Sequence, residues 1–131
     1  MTSAEILKSY DIRPSMIRLM IYDYLKGTDA HPTVDEIYTE LVAKIPTLSK
    51  TSVYNTVKLF ADSGLSKTLT IDKTQVRYDA DITMHGHFMC EKCNKVYDFG
   101  LDKSIADDLV GFDINTKEVY YCGVCRNCNK K

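Results

Sequence analysis

The stretch that decides the fold is SKTSVYNTVKLFADSG, residues 49–64. Its first residue, a serine, suits the cap of a helix, and its last, a glycine, suits the end of one. Val53, Val57 and Phe60 recur at helical spacing, so we expect them to face inward. The outer face is then predicted to carry Lys50, Thr51, Tyr54, Asn55 and Lys58.

Two further helices are predicted before this stretch. The first begins near Pro14 and ends near Gly27, because proline suits a first helical turn and glycine a last one. The second opens at Thr33, where Glu36 three residues later completes a capping box, and Pro46 is expected to end it. This second helix and the stretch above make a helix-turn-helix, whose second helix typically reads DNA.

The following segment, KTLTIDKTQVRYD (67–79), is predicted to be a β-hairpin. Leu69 and Ile71 alternate with polar residues, DKTQ supplies the turn, and Val76 and Tyr78 alternate again. A hairpin directly after a recognition helix is the wing of a winged helix. The alternative is a generic αα-hairpin with a solvated polar face, and the order helix, helix-turn-helix, wing favours the DNA-binding interpretation.

On a winged helix, the predicted outer face has the chemistry that reading DNA requires. Its lysines can meet phosphates, Thr51 and Tyr54 can contact thymine methyl groups, and Asn55 can pair with adenine. The overall charge does not indicate DNA binding, because residues 1–83 hold 10 basic and 11 acidic side chains and residues 84–131 hold 7 of each. Any DNA binding must therefore come from a local surface.

Length and composition bound the remaining possibilities. A chain of 131 residues with a net charge of −1 predicts one domain or two small ones and excludes a large enzyme. No apolar run is long enough for a transmembrane helix, and the N-terminus lacks the features of a secretory signal. We therefore expect a cytoplasmic protein.

All five cysteines lie in the last third of the chain, as Cys90, Cys93, Cys122, Cys125 and Cys128. An odd number without an export signal argues against a disulfide framework. Two C-x-x-C turns can direct four thiolates to one tetrahedral zinc ion. We expect the pair Cys90 and Cys93 and the pair Cys125 and Cys128 to do so. Buried or redox-active cysteines are the alternative. Because Cys122 and Cys125 also form a C-x-x-C, the sequence does not decide which two of the last three cysteines bind the metal. We expect Cys122 to be the free thiol.

The C-terminal third is predicted to be a small unit that needs a metal, a partner subunit or both, because about 48 residues bury too little core. Strands are predicted in HGHFMC (85–90), KVYDF (95–99) and KEVYYCGV (117–124), and a brief helix in SIADDLV (104–110).

A second group of possible ligands surrounds the sequence HGH. On a strand, His85 and His87 project from the same face. Asp79 lies just upstream, and strand pairing could bring Asp98 alongside. Two imidazoles and two carboxylates suit Fe(II), Mn(II) or Zn(II), although single histidines are usually ordinary surface or core residues. Spacing gives no reason to include His31.

The chain resembles the ferric uptake regulator (Fur) family along nearly its whole length. The matching stretches are HPTVDEIYTEL, LSKTSVYNTVKLFADSGL, RYDADITMHGHFMCEKCNKVYDF and GVCRNCNKK. The resemblance implies a dimeric, metal-dependent bacterial transcription factor, usually a repressor. Its fold would be α+β, with a winged-helix DNA-binding domain at 1–80 and a small metal-binding α/β dimerisation domain at 81–131.

The resemblance also implies two ligand sets. Cys90, Cys93, Cys125 and Cys128 match the structural zinc ligands of the family. His31, Asp79, His85, His87 and Asp98 match its regulatory metal site. Since His31 would come from the DNA-binding domain, the metal would tie the two domains together and favour a dimer that fits a palindromic operator.

Within the family, the sequence is most similar to the peroxide-sensing branch (PerR). That branch uses three histidines and two aspartates, whereas iron-sensing relatives more often carry Glu at the position of Asp98. The resemblance implies that hydrogen peroxide reacts at bound Fe(II) and oxidises a ligand histidine, His31 or His85, which releases the operator. With Mn(II) the protein would stay on DNA. Sensing of iron, zinc or manganese is the alternative.

Two departures from the family pattern are Asn55, where Arg is common, and Cys122, which leaves a thiol-based response open. A small zinc enzyme is disfavoured, because a catalytic zinc site needs a general base such as the Glu of H-E-x-x-H, and here HGH is followed by Phe88. A DNA-binding module with two purely structural metals is the other alternative.

Overall fold

A computed structural model describes residues 1–83, 85–101, 107–115 and 117–129. The chain forms two compact units, Met1–Ile82 and Thr83–Lys131. The first is built mainly of helices and the second around a small sheet, which confirms the α+β prediction. Among the described residues, no helix has the length and apolar character that crossing a bilayer requires.

The helices of the N-terminal unit are α1 (Ser3–Ser9), α2 (Met16–Gly27), α3 (Val34–Leu41) and α4 (Lys50–Asp62). The last three confirm the predicted helices. Ser15, Thr33 and Ser49 cap them, each accepting the backbone N–H of the residue three positions on. The predicted capping box is present, since Glu36 accepts in return from the backbone N–H of Thr33 at 3.2 Å.

The inner face of α4 forms the centre of the N-terminal core. Val53, Val57 and Phe60 are fully buried, as the sequence predicts. The Phe60 ring meets Tyr22 of α2 edge-on, with centroids 6.1 Å apart and an interplanar angle of 88°. Because this face is packed against α2 and α3, the opposite face of α4 is left to solvent.

Two features of the helices differ from the prediction. Helix α1 was not predicted, although Leu7 within it is fully buried in the core. Helix α3 ends at Leu41 and not at Pro46, so the turn to α4 spans the eight residues 42–49. Proline has no N–H for the helical ladder and disfavours the helical conformation at the residue before it, Ile45. Ile45 is buried in the core, and its backbone N–H donates to the Leu41 carbonyl within the turn.

The predicted hairpin follows α4 as β1 (Lys67–Leu69) and β2 (Arg77–Asp79), paired antiparallel with Lys67 opposite Asp79. The strands are shorter than expected, and residues 70–76 form the connecting turn. Asp72 shapes this turn by accepting the backbone N–H and the hydroxyl of Thr74 at 2.9 and 2.7 Å. The hairpin packs through β1 on α4 and through β2 on α2, which is the position of a wing.

The second unit contains β3 (Gly86–Cys90), β4 (Val96–Phe99) and β5 (Tyr120–Gly123), which confirms the three predicted strands. The strand order is β4-β3-β5; β3 pairs antiparallel with β4 and parallel with β5. Of the helix predicted over 104–110, the part at 104–106 lies outside the described residues. Asp107–Leu109 forms a 3-10 turn.

Candidate metal centres and nucleic-acid interface

Four cysteine sulfurs meet at one end of the sheet of the second unit. Parallel pairing places Cys90, at the end of β3, opposite Gly123 of β5, so the turn after β5 brings its own cysteines alongside. All four Sγ atoms lie within 4.8 Å of one another. Cys93 Sγ is 3.9 Å from Cys125 Sγ. Sulfurs at about 2.3 Å from a tetrahedral zinc ion are about 3.8 Å apart, so the cluster fits zinc. The members of the cluster are Cys90, Cys93, Cys125 and Cys128.

The two C-x-x-C turns are each closed by the same kind of backbone hydrogen bond. Asn94 N–H donates to the Cys90 carbonyl and Asn129 N–H to the Cys125 carbonyl, both at 2.9 Å. Asn94 takes the left-handed conformation, with φ 62°, which asparagine tolerates better than most residues. A local backbone hydrogen bond therefore closes the turn that presents each pair of thiols, although only Asn94 takes the left-handed conformation.

Hydrogen bonds shift the pKa values of the clustered thiols in opposite directions. Cys90 Sγ accepts the backbone N–H groups of Cys125 and Cys93, each at 3.4 Å, and these bonds lower the pKa of Cys90 to about 6. Cys128 keeps its proton, since hydrogen bonds to the sulfurs of Cys125 and Cys90 raise its pKa to about 12. Four adjacent thiolates repel one another, so full ionisation requires a cation, and a divalent metal would release the remaining protons.

Tyr97 is a member of this site that the sequence did not indicate. Its hydroxyl donates to Cys125 Sγ, which lowers the pKa of the thiol and raises the pKa of the phenol to about 12. A tyrosine on a short strand carries no local sign of such a contact. Cys122, expected to be a free thiol, is exposed on β5 opposite Met89, and the four-sulfur cluster found in the described part of the chain does not contain it.

The second unit also brings together His85, His87 and Asp98. His87 and Asp98 are paired residues of β3 and β4. The Nε2 atoms of His85 and His87 both lie 3.4 Å from Asp98 Oδ1, and the two imidazole centroids are 4.5 Å apart. His85 Nδ1 is 2.8 Å from the Thr83 carbonyl, which can only accept, so Nδ1 carries a proton in this contact and Nε2 is the ring nitrogen that faces Asp98.

Gly86 lies between these two histidines, at a position where the Phe99 ring leaves no room for a side chain unless the ring moves. A Cβ at this position would fall inside the ring of Phe99, its partner on β4. The aromatic ring on one face of β3 therefore requires glycine in the middle of HGH, while the two imidazoles occupy the other face. The spacing of the histidines in the sequence gives no sign of this contact between Gly86 and Phe99.

Within the N-terminal unit, His31 lies beside Asp79. His31 lies between α2 and α3, is 3% exposed and has a φ of 53°. Its Nε2 is 3.5 Å from Oδ2 of Asp79, the last residue of β2. The chain next to His31 is held by the Tyr78 N–H, which donates to the Pro32 carbonyl at 3.0 Å. Imidazole and carboxylate here form a second buried grouping of borderline-to-hard ligands.

The outer face of α4 presents the five residues expected to contact DNA. All of them are exposed, and Tyr54 has 49% of its surface accessible. Lys58 Nζ is 2.8 Å from Asp62 and Lys50 Nζ is 3.3 Å from Asp35. Exposed ion pairs contribute little to stability, so a phosphate can replace either carboxylate at small cost. These residues are Lys50, Thr51, Tyr54, Asn55 and Lys58.

The fold and the sites define a two-unit protein: a winged helix with an exposed recognition helix, followed by a unit with four clustered cysteine sulfurs and with two histidines facing one aspartate. The sequence pattern of the Ferric uptake regulator family matches residues 9–122, and the chain belongs to this family. Members of the family are dimeric DNA-binding regulators.

Individual relatives agree with this assignment. The peroxide operon regulator of Bacillus subtilis is 39% identical over 97% of this chain and 91% of its own length. The fold is similar to that of the ferric uptake regulator of Helicobacter pylori, with a TM-score of 0.79 at 19% identity over 97% and 89% of the two chains. PerR of Streptococcus pyogenes, solved to explain peroxide sensing and gene regulation, gives a TM-score of 0.55 at 30% identity over 95% and 89%.

Proposed function

We propose that this protein is a cytoplasmic, dimeric, metal-dependent transcriptional repressor that senses hydrogen peroxide, and that it is not an enzyme. The observation that carries the proposal is the 39% identity with a peroxide operon regulator across almost the whole length of both chains. The ligand chemistry described above is consistent with it, because the chain supplies three histidines and two aspartates apart from its thiolate cluster.

The first part of the proposal is that Cys90, Cys93, Cys125 and Cys128 hold a structural Zn²⁺. The sulfur spacing fits a tetrahedral ion, and the lowered pKa of Cys90 prepares one thiolate for it. Bound there, zinc would fasten the turn after β5 to the end of β3. In a unit too small for a large core, that fastening would hold the sheet together.

The second part is that His31, Asp79, His85, His87 and Asp98 ligate one regulatory Fe²⁺ or Mn²⁺ ion. Each unit by itself assembles part of this donor set: a buried imidazole–carboxylate pair in the first, and two imidazoles facing one carboxylate in the second. Nitrogen and oxygen donors suit these metals better than the thiolates do. A ligand set drawn from both units would favour the conformation that binds DNA.

The third part concerns the response. Bound Fe²⁺ would activate hydrogen peroxide for cleavage of its O–O bond. One oxygen atom would enter a ring C–H bond of a ligand imidazole, that of His31 or His85, and the other would leave as water, so the imidazole would supply the two electrons that the peroxide gains. The modified imidazole would no longer donate its Nε2 lone pair, so the affinity of the site would fall. His31 is buried beside β2, and losing its contact would leave Asp79 as the remaining ligand from the N-terminal unit, so the unit would be held more weakly.

The fourth part is operator recognition. Two copies of α4, one from each subunit of the dimer, would enter successive major grooves of a palindromic site. Lys50 and Lys58 would exchange their surface carboxylates for phosphates, while Thr51, Tyr54 and Asn55 would contact base edges. With a net charge of −1, binding would depend on this local face and weaken steeply with salt.

Protein loaded anaerobically with Fe(II) and given a small excess of peroxide tests the proposal, with a Mn(II) sample as the matched control. Peptide mass spectrometry would measure added oxygen, and a gel-shift assay would follow operator release. Oxygen on His31 or His85 in the iron sample alone, with release, is the expected result. Unmodified histidines with Fe(II)-dependent DNA binding would instead establish an iron sensor, and modification confined to Cys122 would assign the response to a thiol.

A further inference from the structure

The guanidinium of Arg77, the first residue of β2, is bound from two sides. Its Nε donates to Asp72 Oδ2 at 3.2 Å and its Nη2 lies 3.1 Å from the same oxygen, while Nη1 donates to the His31 carbonyl at 3.4 Å. The two side chains are 11% and 8% exposed, so this is a largely buried pair. Asp72 is itself fixed by Thr74 within the wing turn. A continuous set of hydrogen bonds therefore joins the wing turn to the backbone of His31.

His31 needs such support because its φ of 53° is unfavourable for a residue with a Cβ. Arg77 and Asp79 are two residues apart on β2 and so share one face of the strand. Arg77 binds the His31 carbonyl and Asp79 faces its imidazole, so one strand face holds both the backbone and the ring of the same residue.

We propose that Arg77 is a positioning residue for the metal ligand His31, and that the Asp72–Arg77 pair couples the wing turn to metal binding. This rests on the proposed function in that His31 is taken to ligate the regulatory metal. A planar guanidinium with several donors can bind a carboxylate and a carbonyl together, which a lysine ammonium does poorly. Because coupling is reciprocal, metal that fixes His31 will order the wing turn, and a wing ordered on DNA will tighten the metal.

Hydrogen–deuterium exchange on the full-length, zinc-loaded protein tests the coupling, with Mn(II) as the added metal. In the parent protein, Mn(II) should slow exchange in peptides that cover residues 70–76. In Arg77→Ala, Arg77→Lys and Asp72→Asn this slowing should disappear, and the Mn(II) affinity should fall about 10- to 100-fold, as for other residues that orient a ligand. Lys73→Ala, an exposed position in the same turn, is the matched control and should behave like the parent.

If Arg77 and Asp72 only stabilised the hairpin, replacing them would speed exchange equally with and without Mn(II), and the difference that Mn(II) makes to exchange would persist. That result, or parental Mn(II) affinity in Arg77→Lys and Asp72→Asn, would overturn the inference. Arg77→Lys and Asp72→Asn keep the test decisive if Arg77→Ala does not fold. Parental Mn(II) affinity in His31→Ala is a different outcome, since it would refute the proposed function itself.

Discussion

Replacing His31 by glycine and by alanine distinguishes two effects: loss of the imidazole proposed as a metal ligand, and the cost of the backbone conformation at this position. Both changes remove the imidazole and its contact with Asp79, so the cavity and the lost contact nearly cancel when the two variants are compared. What differs is the cost of a Cβ at a φ of 53°. Left-handed backbone costs a residue with a Cβ about 1–2 kcal/mol. The greater freedom of glycine in the unfolded chain offsets about 0.4–1 kcal/mol of this.

We therefore expect His31→Gly to be about 1 kcal/mol more stable than His31→Ala, from the difference between the two costs. For a unit the size of Met1–Ile82 this corresponds to a melting temperature about 4–8 °C higher. Far-ultraviolet circular dichroism of zinc-loaded protein without Mn(II) measures it, because the signal is dominated by α1 to α4. Both variants should lose Mn(II)-dependent operator binding and keep their zinc. An alanine variant as stable as the glycine variant would mean that residue 31 is not under backbone strain.

Three further changes test other parts of the structure. Tyr97→Phe removes the hydroxyl that donates to Cys125 and should speed zinc loss to a chelator about 10- to 100-fold. A colorimetric zinc indicator measures the rate, and the control variant Tyr121→Phe on β5 should lose zinc at the parental rate. The hydrogen bond from the Thr74 hydroxyl is the main cause that lowers the pKa of Asp72 from its usual 3.8. The contribution of the Asp72 carboxylate to stability is therefore present above pH 3.8 and is lost as the pH falls through the lower pKa of the folded state. Urea unfolding of Asp72→Asn from about pH 5 downwards should show a weaker acid dependence than that of the parent protein. Phe60→Ala should destabilise the N-terminal unit by about 3–5 kcal/mol in the same unfolding assay, and a loss below 1 kcal/mol would contradict its place in the core.

Local signals account for what the sequence predicted. The capping pair Thr33 and Glu36 and the apolar positions of α4 act within one or two helical turns, so the pattern alone locates α4 and the start of α3. The two C-x-x-C turns and the histidines of HGH are equally local, since strand and turn geometry place their side chains on one side. For these elements a short window contains the whole physical cause.

The contacts that the sequence did not predict are long-range or lack a period. Arg77 reaches the carbonyl of a residue 46 positions earlier, and nothing near it in the chain indicates this. Helix α1 has seven residues, too few for a hydrophobic period, and only the fully buried Leu7 explains why it is ordered. Gly86 is required by a ring on the neighbouring strand, and the Tyr97 hydroxyl meets a sulfur from a distant turn. Each depends on tertiary packing, which spacing does not encode.

One strand, β3, serves both clusters of the second unit. It carries His87 opposite Asp98 and, three residues later and about 10 Å along the strand, Cys90 of the thiolate cluster. Its parallel neighbour β5 arrives only after a long connection, and an ion bound by Cys90 and the cysteines that follow β5 would fasten that pairing in register. The two metals should therefore load in a fixed order, zinc before iron or manganese. A cell starved of zinc would accumulate freshly made chains that cannot respond to the second metal, however abundant that metal is.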